Sequence, residues 1–355
     1  MTKKNKNKNK KTQKNKNMII FVGAAILIII IVTICFFLFN KKKNQPLDLF
    51  NSSNQEVKVE EENKLNIVNP NSKTRNRAVM INNIKTVWGY QSGIQDAYIV
   101  YEIITEGGIT RLMGVFKDVM PERIGTIRSS RAYFLDYALE NDAVYMHIGG
   151  SPEALRDIKS LGVNDLDGDG TFRDKSIGLA YEHTAFTSMS KINERITARK
   201  YRDTTNKKLL LNYSVEEIDL STKEGAISAN NVHIIFSNSK NTSFVYDAES
   251  KNYKRFQNNI AHTDYVTKNQ YTVKNIITYQ VSNSTYDYKG RQTINNIGSG
   301  TGYFISNGYA VPITWEKKER SDQTVYRYLN GEEIIVNDGN THIEIQPKNK
   351  TITIN

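Results

Sequence analysis

Residues 96–151 decide the fold, and they read DAYIVYEIITEGGITRLMGVFKDVMPERIGTIRSSRAYFLDYALENDAVYMHIGGS. The first part contains two mainly apolar runs, 96–105 and 109–116, which Gly107-Gly108 separates. Paired glycines stop regular structure, and the short apolar run that follows them is typical of a buried strand. The stretch therefore predicts a mainly apolar segment at 96–105 that ends at the glycines and a strand at 109–116.

The second part of this stretch alternates helix and strand signals. Ser129 or Ser130 predicts the N-cap of a helix that extends to Leu139, and residues 143–148 predict a buried strand. Ser151-Pro152 predicts the next helix start, because a proline in the first turn misses no donor. This alternation is typical of a layered α/β unit, in which ligands bind at loops beyond strand ends and at helix N-termini.

The same unit contains charged and titratable side chains that an apolar core ordinarily excludes. These residues are Glu102, Glu106, Arg111, Arg128, Arg131 and His147. Guanidinium groups pair with phosphate or carboxylate, so the three arginines, together with Ser151 at a helix N-terminus, are candidate ligand-binding residues. Glu102 or Glu106 is a candidate general base, and His147 is a candidate acid or base near neutral pH. The structural alternative is a Glu–Arg network that fixes a helix on the sheet.

The positive charge of the chain is concentrated at its N-terminus. The formal net charge is +11, from 48 Lys and Arg against 37 Asp and Glu, and residues 1–43 contain 11 lysines and no acidic residue. The rest of the chain is therefore neutral. Because nucleic-acid binding depends on a cationic folded surface, the sequence predicts no nucleic-acid partner.

Residues 18–39 (MIIFVGAAILIIIIVTICFFLF) are uncharged and predict a transmembrane helix, since they cover a hydrocarbon core of about 30 Å. Eight lysines precede this segment and three follow it, which predicts a cytoplasmic tail at 1–17 and an extracellular location for the remainder. A cleaved signal peptide is the alternative, but its apolar region is shorter and ends in a small-residue site. The only cysteine, Cys35, lies within the span, so the extracellular part is not a disulfide scaffold. These features favour a bacterial cell-membrane protein with a single anchor.

Beyond the span, the composition divides the chain into a spacer and two folded domains. Residues 40–75 are polar and without periodicity, which indicates a spacer. Residues 76–215 form the predicted α/β domain, and residues 230–355 alternate apolar and polar residues as a β-rich domain does. Hairpin turns are predicted at Asn307-Gly308, Asn330-Gly331 and Asp338-Gly339.

Large polar and aromatic residues of the second half allow two interpretations. They are Tyr253, Arg255, Tyr303, Trp315 and Arg327. Such side chains line a glycan or peptide groove in some proteins, and in more cases they cover a twisted sheet. The sequence leaves both interpretations open.

Asp165, Asp167 and Asp169 stand at alternate positions before a glycine, as in the first half of a calcium loop. The twelfth position of such a loop carries a bidentate glutamate, whereas this chain has Ser176 there. A solvated turn is therefore the favoured interpretation of these residues. The alternative is a calcium site, and calcium is the only candidate cofactor that the sequence suggests.

Several motifs together resemble the YerB-like lipoprotein family, DUF3048. They are RAVMINN, QSGIQDAYIVYEIITEGGITR, IGTIRSSRAYF, HIGGSPEA, DLDG, GYAVPITWEKKERSD and NGEEI, in that order from about residue 75 to the end. The resemblance implies an exported, membrane-attached protein with a layered YerB-like N-terminal domain and a β-rich C-terminal domain, and it assigns no activity. The chain differs from the family in having a transmembrane segment where a lipid-modified cysteine is usual, and His342 where a tryptophan is expected in the last hairpin.

Two functions are compatible with the sequence. The first is a non-catalytic envelope protein that binds a cell-wall polymer or an envelope partner protein. The second is an enzyme or carrier acting on an anionic envelope glycan, with Arg111, Arg128 and Arg131 holding the phosphate or carboxylate. Convergence of the carboxylates, His147 and the arginines on an open cleft would favour the second function, whereas paired and buried arginines favour the first.

Overall fold

The computed structural model describes residues 64–355. The predictions of a cytoplasmic tail at 1–17 and a transmembrane helix at 18–39 lie outside the described residues, as does most of the spacer at 40–75. Within residues 64–355, no helix combines the length and the apolar character that crossing a membrane requires.

Three α-helices occur in the described residues: α1 (Ala132–Glu140), α2 (Pro152–Ser160) and α3 (Met189–Ala198). The predicted cap of α2 is confirmed, because Ser151 Oγ accepts a hydrogen bond from the Ala154 amide at 3.2 Å. The predicted cap of α1 at Ser129 or Ser130 is wrong. Arg131 is the N-cap residue, but its side chain makes no hydrogen bond to the backbone of the first turn. Ser130 instead forms a parallel bridge with Gly150.

The strands of the first half of the chain are β1 (Arg77–Asn82), β2 (Ile99–Ile104), β3 (Thr110–Phe116), β4 (Ile124–Gly125), β5 (Val144–His147), β6 (Asp165–Asp167), β7 (Phe172–Arg173), β8 (Ala185–Thr187) and β9 (Asn212–Ser214). Those of the second half are β10 (Ile227–Ser228), β11 (Asn231–Ile235), β12 (Asn241–Asp247), β13 (Asn252–Gln257), β14 (Ile260–Ala261), β15 (Thr272–Val273), β16 (Asn275–Val281), β17 (Asn283–Thr285), β18 (Gln292–Ile294), β19 (Gly298–Ser306), β20 (Tyr309–Lys317), β21 (Val325–Tyr328), β22 (Ile335–Asn337), β23 (Thr341–Pro347) and β24 (Ile352–Ile354).

The main sheet contains 11 strands in the order β10-β20-β19-β16-β23-β2-β3-β1-β5-β6, with β21 paired to β20. Strand β23 lies between β2 and β16 and is parallel to both. The halves predicted at 76–215 and 230–355 are therefore joined through one continuous sheet. The architecture is mixed α+β and rich in strands.

A second sheet of six strands has the order β14-β13-β12-β11-β24, with β15 paired to β13. Side chains of β12 and β13 contact β2 of the main sheet through Glu102, which accepts hydrogen bonds from Thr242 and Arg255. The junction between the two sheets is consequently polar at this point.

The turn predictions of the second half differ in outcome. Asn307-Gly308 joins β19 to β20, and both residues have the positive φ angles, 50° and 80°, that this type of hairpin turn requires. The turn at Asn330-Gly331 is also confirmed, with an antiparallel bridge between Arg327 and Glu333. The hairpin at Asp338-Gly339 is wrong, because β22 pairs with β9 while β23 inserts between β2 and β16.

Apolar side chains form separate core clusters on the two sides of the main sheet. Tyr101 and Ile103 of β2 belong to the cluster that includes residues of α1 and α2, whereas Val100 belongs to the cluster that includes residues of α3. Because side chains alternate along a strand, Glu102 lies on the same side as Val100. Strand β2 therefore carries a fully buried carboxyl group in the middle of the sheet.

Candidate functional site

Glu106 holds two of the predicted arginines. Arg131 donates to both carboxylate oxygens of Glu106, with a distance of 2.9 Å from Nε to Oε2, and Arg111 Nη2 lies 3.5 Å from Oε1. Burial alone would raise the pKa of Glu106, but the hydrogen bond from Arg131 and the charges of both arginines outweigh burial and lower that pKa to about 2. Arg111 and Arg131 are themselves buried. Both guanidinium groups are thus already paired within the chain.

Arg128 contacts a different carboxylate and remains partly exposed. Its Nη1 donates to the Glu182 carbonyl at 3.1 Å, and its Nη2 lies 3.5 Å from Glu182 Oε1. Arg128 and Arg131 do not share a helical turn, because α1 begins only after Arg131. Neighbouring His183 lies 3.4 Å from Glu182 Oε1, and burial followed by the charge of Arg128 lowers its pKa.

His147 is buried at the end of β5, where it fixes the adjacent β6. Its Nδ1 lies 2.8 Å from the Gly149 carbonyl oxygen, and its Nε2 lies 3.2 Å from Asp165 Oδ2. Asp167 Oδ1 accepts a hydrogen bond from the Gly149 amide at 2.6 Å. The hydrogen bonds of His147 therefore go to Gly149 and Asp165 and not to Glu102 or Glu106. Ser151, the next candidate along the chain, serves as a helix cap.

The three aspartates of the predicted calcium loop have protein partners. Asp165 contacts His147, Asp167 contacts the Gly149 amide, and Asp169 Oδ2 lies 2.9 Å from Arg199 Nε. In the part of the chain that the structure describes, no group of three or more His, Cys, Asp or Glu residues is arranged to hold a metal ion. Calcium binding at Asp165, Asp167 and Asp169 stays a prediction.

Glu102 is the centre of a buried polar cluster that spans both halves of the chain. Thr242 Oγ1 donates to Oε2 at 2.9 Å, Asn83 Nδ2 donates to Oε1 at 3.1 Å, and Thr110 and Arg255 donate as well. Lys240 Nζ lies 3.2 Å from Oε1. Burial alone would raise the pKa of Glu102, but the charges of Lys240 and Arg255 and these hydrogen bonds hold it far below its usual range. Glu102 is therefore ionised.

The cations of this cluster are desolvated and have further partners. Lys240 Nζ donates to Gln257 Oε1 at 2.6 Å and lies 5.1 Å from the centre of the Trp88 ring. Burial lowers the pKa of Lys240 to about 8 even though the charge of Glu102 acts in the opposite direction. Arg255 contacts His262, whose pKa is lowered by burial and then by the charge of Arg255. His262 is therefore neutral and unsuited to carry a second positive charge.

A groove of about 860 Å³ lies beside this cluster. Its walls come from three segments and one separate ring: Gly93, Gln95 and Asp96; residues 121–123; Asp264, Val266, Thr267 and residues 269–272; and Phe172. Gln95 joins two of these walls, because it exchanges two hydrogen bonds of 3.0 Å with the backbone of Thr272. Gln270 donates to the carbonyl oxygen of Arg255 at 2.8 Å and so connects the groove wall to the buried cluster.

The groove combines polar side chains with aromatic rings. Asp96, Glu122 and Asn269 are exposed, whereas Tyr271 is buried in the wall. Asp264 is fully occupied, since its carboxylate accepts from the amides of Gly93, Val266 and Thr267 and from the Tyr271 hydroxyl. Although Asp96 reaches solvent, partial desolvation by the atoms around it, followed by the charge of Asp264, raises its pKa. Hydrogen-bonding groups beside aromatic rings suit a ligand with hydroxyl and amide groups.

The sequence interpretation singled out Glu102 and, separately, Arg255, but it did not connect them and missed the other residues that surround Glu102. Lys240, His262, His342 and Glu344 are distant from Glu102 in sequence, and only strand pairing brings them together. The available signal was HIEIQ in β23, but polar residues that alternate with isoleucine ordinarily indicate a solvent-facing side. Of the second-half residues singled out, Tyr253, Arg255 and Trp315 are buried, which agrees with sheet packing.

Comparison with known proteins identifies the family. Residues 65–202 match the model described as "Protein of unknown function (DUF3048) N-terminal domain", and residues 232–343 match the corresponding C-terminal domain. "Putative lipoprotein YerB" from Bacillus subtilis (strain 168) is 28% identical over 255 residues, which cover 70% of this chain and 72% of that protein. The crystal structure of YerB from Bacillus subtilis gives a TM-score of 0.68 at 25% identity and covers 79% of this chain and 94% of that chain. The chain described here therefore belongs to the DUF3048 family, in agreement with its sequence motifs and its mixed α+β fold.

Proposed function

We propose that this chain is a bacterial cell-envelope protein that binds a wall glycan in the groove beside Tyr271. In this proposal residues 18–39 anchor the chain in the membrane and residues 64–355 lie outside the cell. The lysine-rich N-terminus and the likeness to a protein named as a lipoprotein support the envelope location. The groove of about 860 Å³ is the observation that carries the binding function.

The composition of the groove favours a neutral glycan over an anionic polymer. Asp96 and Glu122 present exposed carboxyl groups, and Arg123 is already paired with Asp174, with 2.8 Å between Nη2 and Oδ2. A phosphate-rich polymer would meet like charge at this surface. Hydroxyl and acetamido groups of a sugar instead find acceptors in the carboxyl groups and donors in Asn269.

The pairing of the arginines favours binding over catalysis on an anionic glycan. Arg111 and Arg131 share Glu106, and Glu102 is sealed between the two sheets. Neither carboxylate lines the groove. Arg111, Arg131, Glu106 and Glu102 thus act in internal ion pairs, as a structural network does.

Sedimentation with isolated wall glycan tests this proposal. We expect the full chain in detergent to bind neutral wall glycan and to discriminate against a phosphate-rich wall polymer. The double variant Glu122→Ala, Asn269→Ala removes two exposed groove side chains, and a loss of two hydrogen bonds weakens binding by about tenfold. Glu319→Ala, an exposed glutamate outside the groove, is the matched control. Absence of binding by the wild type, or unchanged binding by the double variant, contradicts the proposal.

A further inference from the structure

Two glutamates lie side by side in the centre of the main sheet. Strands β2 and β23 are parallel neighbours, and their register places Glu102 opposite Glu344. On the other side of β23, Thr278 of β16 is opposite Glu344. Side chains that are paired in this way project to the same side of a sheet, so Glu102, Glu344 and Thr278 form a row. All three side chains are completely buried.

The donors of this region are all directed at Glu102. Lys240, Arg255, Thr110 and Thr242 each contact its carboxylate, as described above. Glu344 differs in that neither of its buried carboxyl oxygens receives a hydrogen bond from any residue that the structure describes. His342 Nδ1, which lies 3.4 Å from Glu344 Oε1, likewise has no hydrogen-bond partner there. An ionised carboxylate without donors in a dry interior is strongly unfavourable.

A single proton on Glu344 supplies a donor where this row of side chains has none. The Glu344 hydroxyl then donates to the Glu102 carboxylate, which lies opposite it in the strand register. His342 is a neutral neighbour, with its Nδ1 3.4 Å from Glu344 Oε1. Burial followed by the charge of Arg255 lowers the pKa of His342, which agrees with a neutral ring. The charges of Arg255 and Lys240 act on Glu344 in the opposite direction and favour its ionised form, but both groups are paired with Glu102.

We propose that Glu102 and Glu344 share one proton, with Glu344 a neutral carboxylic acid that ties β23 to β2, so that the junction between the two sheets responds to pH. This inference is independent of the groove and of any ligand. The junction includes the ion pair that Glu102 forms with Arg255 of β13. Removal of the proton places two carboxylates side by side at the point where the sheets meet.

The direction of the pH effect follows from the proton count. Burial, followed by the charge of Glu102, raises the pKa of Glu344 well above the 4.5 of an unfolded glutamate. Between those two values the folded protein binds one proton more than the unfolded chain. Stability from this group is thus fully present below the unfolded pKa and is lost as pH rises. Lys240, with its pKa lowered to about 8, acts in the opposite direction above that pH. The informative range is therefore from about pH 5 to about pH 8.

Thermal unfolding and infrared spectroscopy of the full chain in detergent test this inference. We expect the melting temperature of Glu344→Gln, which cannot ionise, to rise relative to that of the wild type between about pH 5 and about pH 8. Glu319→Gln at an exposed site should follow the wild type throughout. In the infrared spectrum at neutral pH, the wild type should show the carbonyl band of a protonated carboxylic acid, which disappears in Glu344→Gln.

Glu140→Gln is the matched infrared control. Glu140 is equally buried, but it accepts hydrogen bonds from Lys317 at 2.8 Å and from Tyr101 at 2.6 Å, so its replacement should leave the acid band in place. A wild type without the band, or a band that survives Glu344→Gln, overturns the inference. A constant difference in melting temperature between Glu344→Gln and the wild type across this range overturns the pH response. If Glu344→Gln fails to fold, the wild type alone provides the test. The carboxylic-acid band should then be present in the folded wild type and disappear when the protein is unfolded at the same pH, and a band that persists on unfolding overturns the inference.

Discussion

Glu102 and Glu344 occupy opposite positions on the parallel strands β2 and β23, yet only Glu102 receives hydrogen bonds and ion pairs. The difference arises from the second sheet, which places Arg255 and the adjoining Lys240 against Glu102. Glu102 is thereby held ionised and Glu344 protonated, although they lie on neighbouring strands. The consequences of replacing them should therefore be opposite.

Replacement of Glu102 should destabilise the protein strongly. Glu102→Gln leaves Lys240 and Arg255 buried beside a neutral amide, and breaking a buried ion pair in this way costs about 3–5 kcal/mol. Guanidinium denaturation of the full chain measures this change in the free energy of unfolding. Glu319→Gln, at an exposed position, should stay within about 0.5 kcal/mol of the wild type. A Glu102→Gln variant as stable as the wild type would show that the cluster does not stabilise the junction.

Ser151 should contribute to stability as a helix cap. Its Oγ accepts from the Ala154 amide at the start of α2, and loss of such a cap costs about 1 kcal/mol. Ser188→Ala removes the equivalent cap of α3, where the serine side chain accepts from the Lys191 amide, and provides the comparison. Urea denaturation should give similar losses for both variants. A much smaller loss of unfolding free energy for Ser151→Ala would contradict the capping role and favour the ligand-binding role that the sequence also predicts.

Signals carried by neighbouring residues were sufficient to predict many elements. The buried strands β3 and β5, the cap at Ser151 and the hairpin at Asn307-Gly308 each depend on residues within a few positions of one another. Asn-Gly, for example, adopts the two positive φ angles of such a turn with little strain. These predictions hold because the conformation of each element is decided by its own residues, whichever strands become its neighbours.

The errors occurred where a distant contact decided the outcome. The Ser130 backbone pairs with Gly150 and so lies outside α1, although serine is a good cap residue. Strand β23 joins β2 although it follows that strand by more than half the chain, and no local pattern encodes which strands become neighbours. The buried cluster is a product of this pairing. Its residues therefore looked like an ordinary solvent-facing row in the sequence.

The orientation of the chain in the membrane can be measured directly. Because the excess of lysine precedes Met18, we expect residues 64–355 to face the outside of the cell. Protease added to intact protoplasts should remove a C-terminal epitope tag while a cytoplasmic marker protein stays intact. Protection of the tag in intact protoplasts, followed by its cleavage after detergent lysis, would place the folded part inside the cell.

Arg128 and Arg131 should separate a structural role from a ligand-binding role. Arg131 is buried and bidentate with Glu106, so Arg131→Gln should cost about 3 kcal/mol. Arg128 forms an exposed pair with Glu182, so Arg128→Gln should change stability by about 0–1 kcal/mol. The two substitutions are chemically identical and lie three residues apart. Denaturant unfolding of the two variants therefore isolates the effect of the buried partner.

The acid sensitivity of the protein supplies an independent measurement on the same pair. Since Glu106 has a pKa of about 2 in the folded protein and 4.5 when unfolded, its contribution is present above the unfolded value and is lost as pH falls between these values. Arg131→Gln should flatten the decline in stability over that range, because the carboxylate loses its strongest donor, whereas Arg128→Gln should leave the decline unchanged. Equal acid profiles for the two variants would contradict the pairing of Arg131 with Glu106. A folded Arg131→Gln protein that has lost affinity for an anionic glycan bound by the wild type would instead restore the anion-binding role.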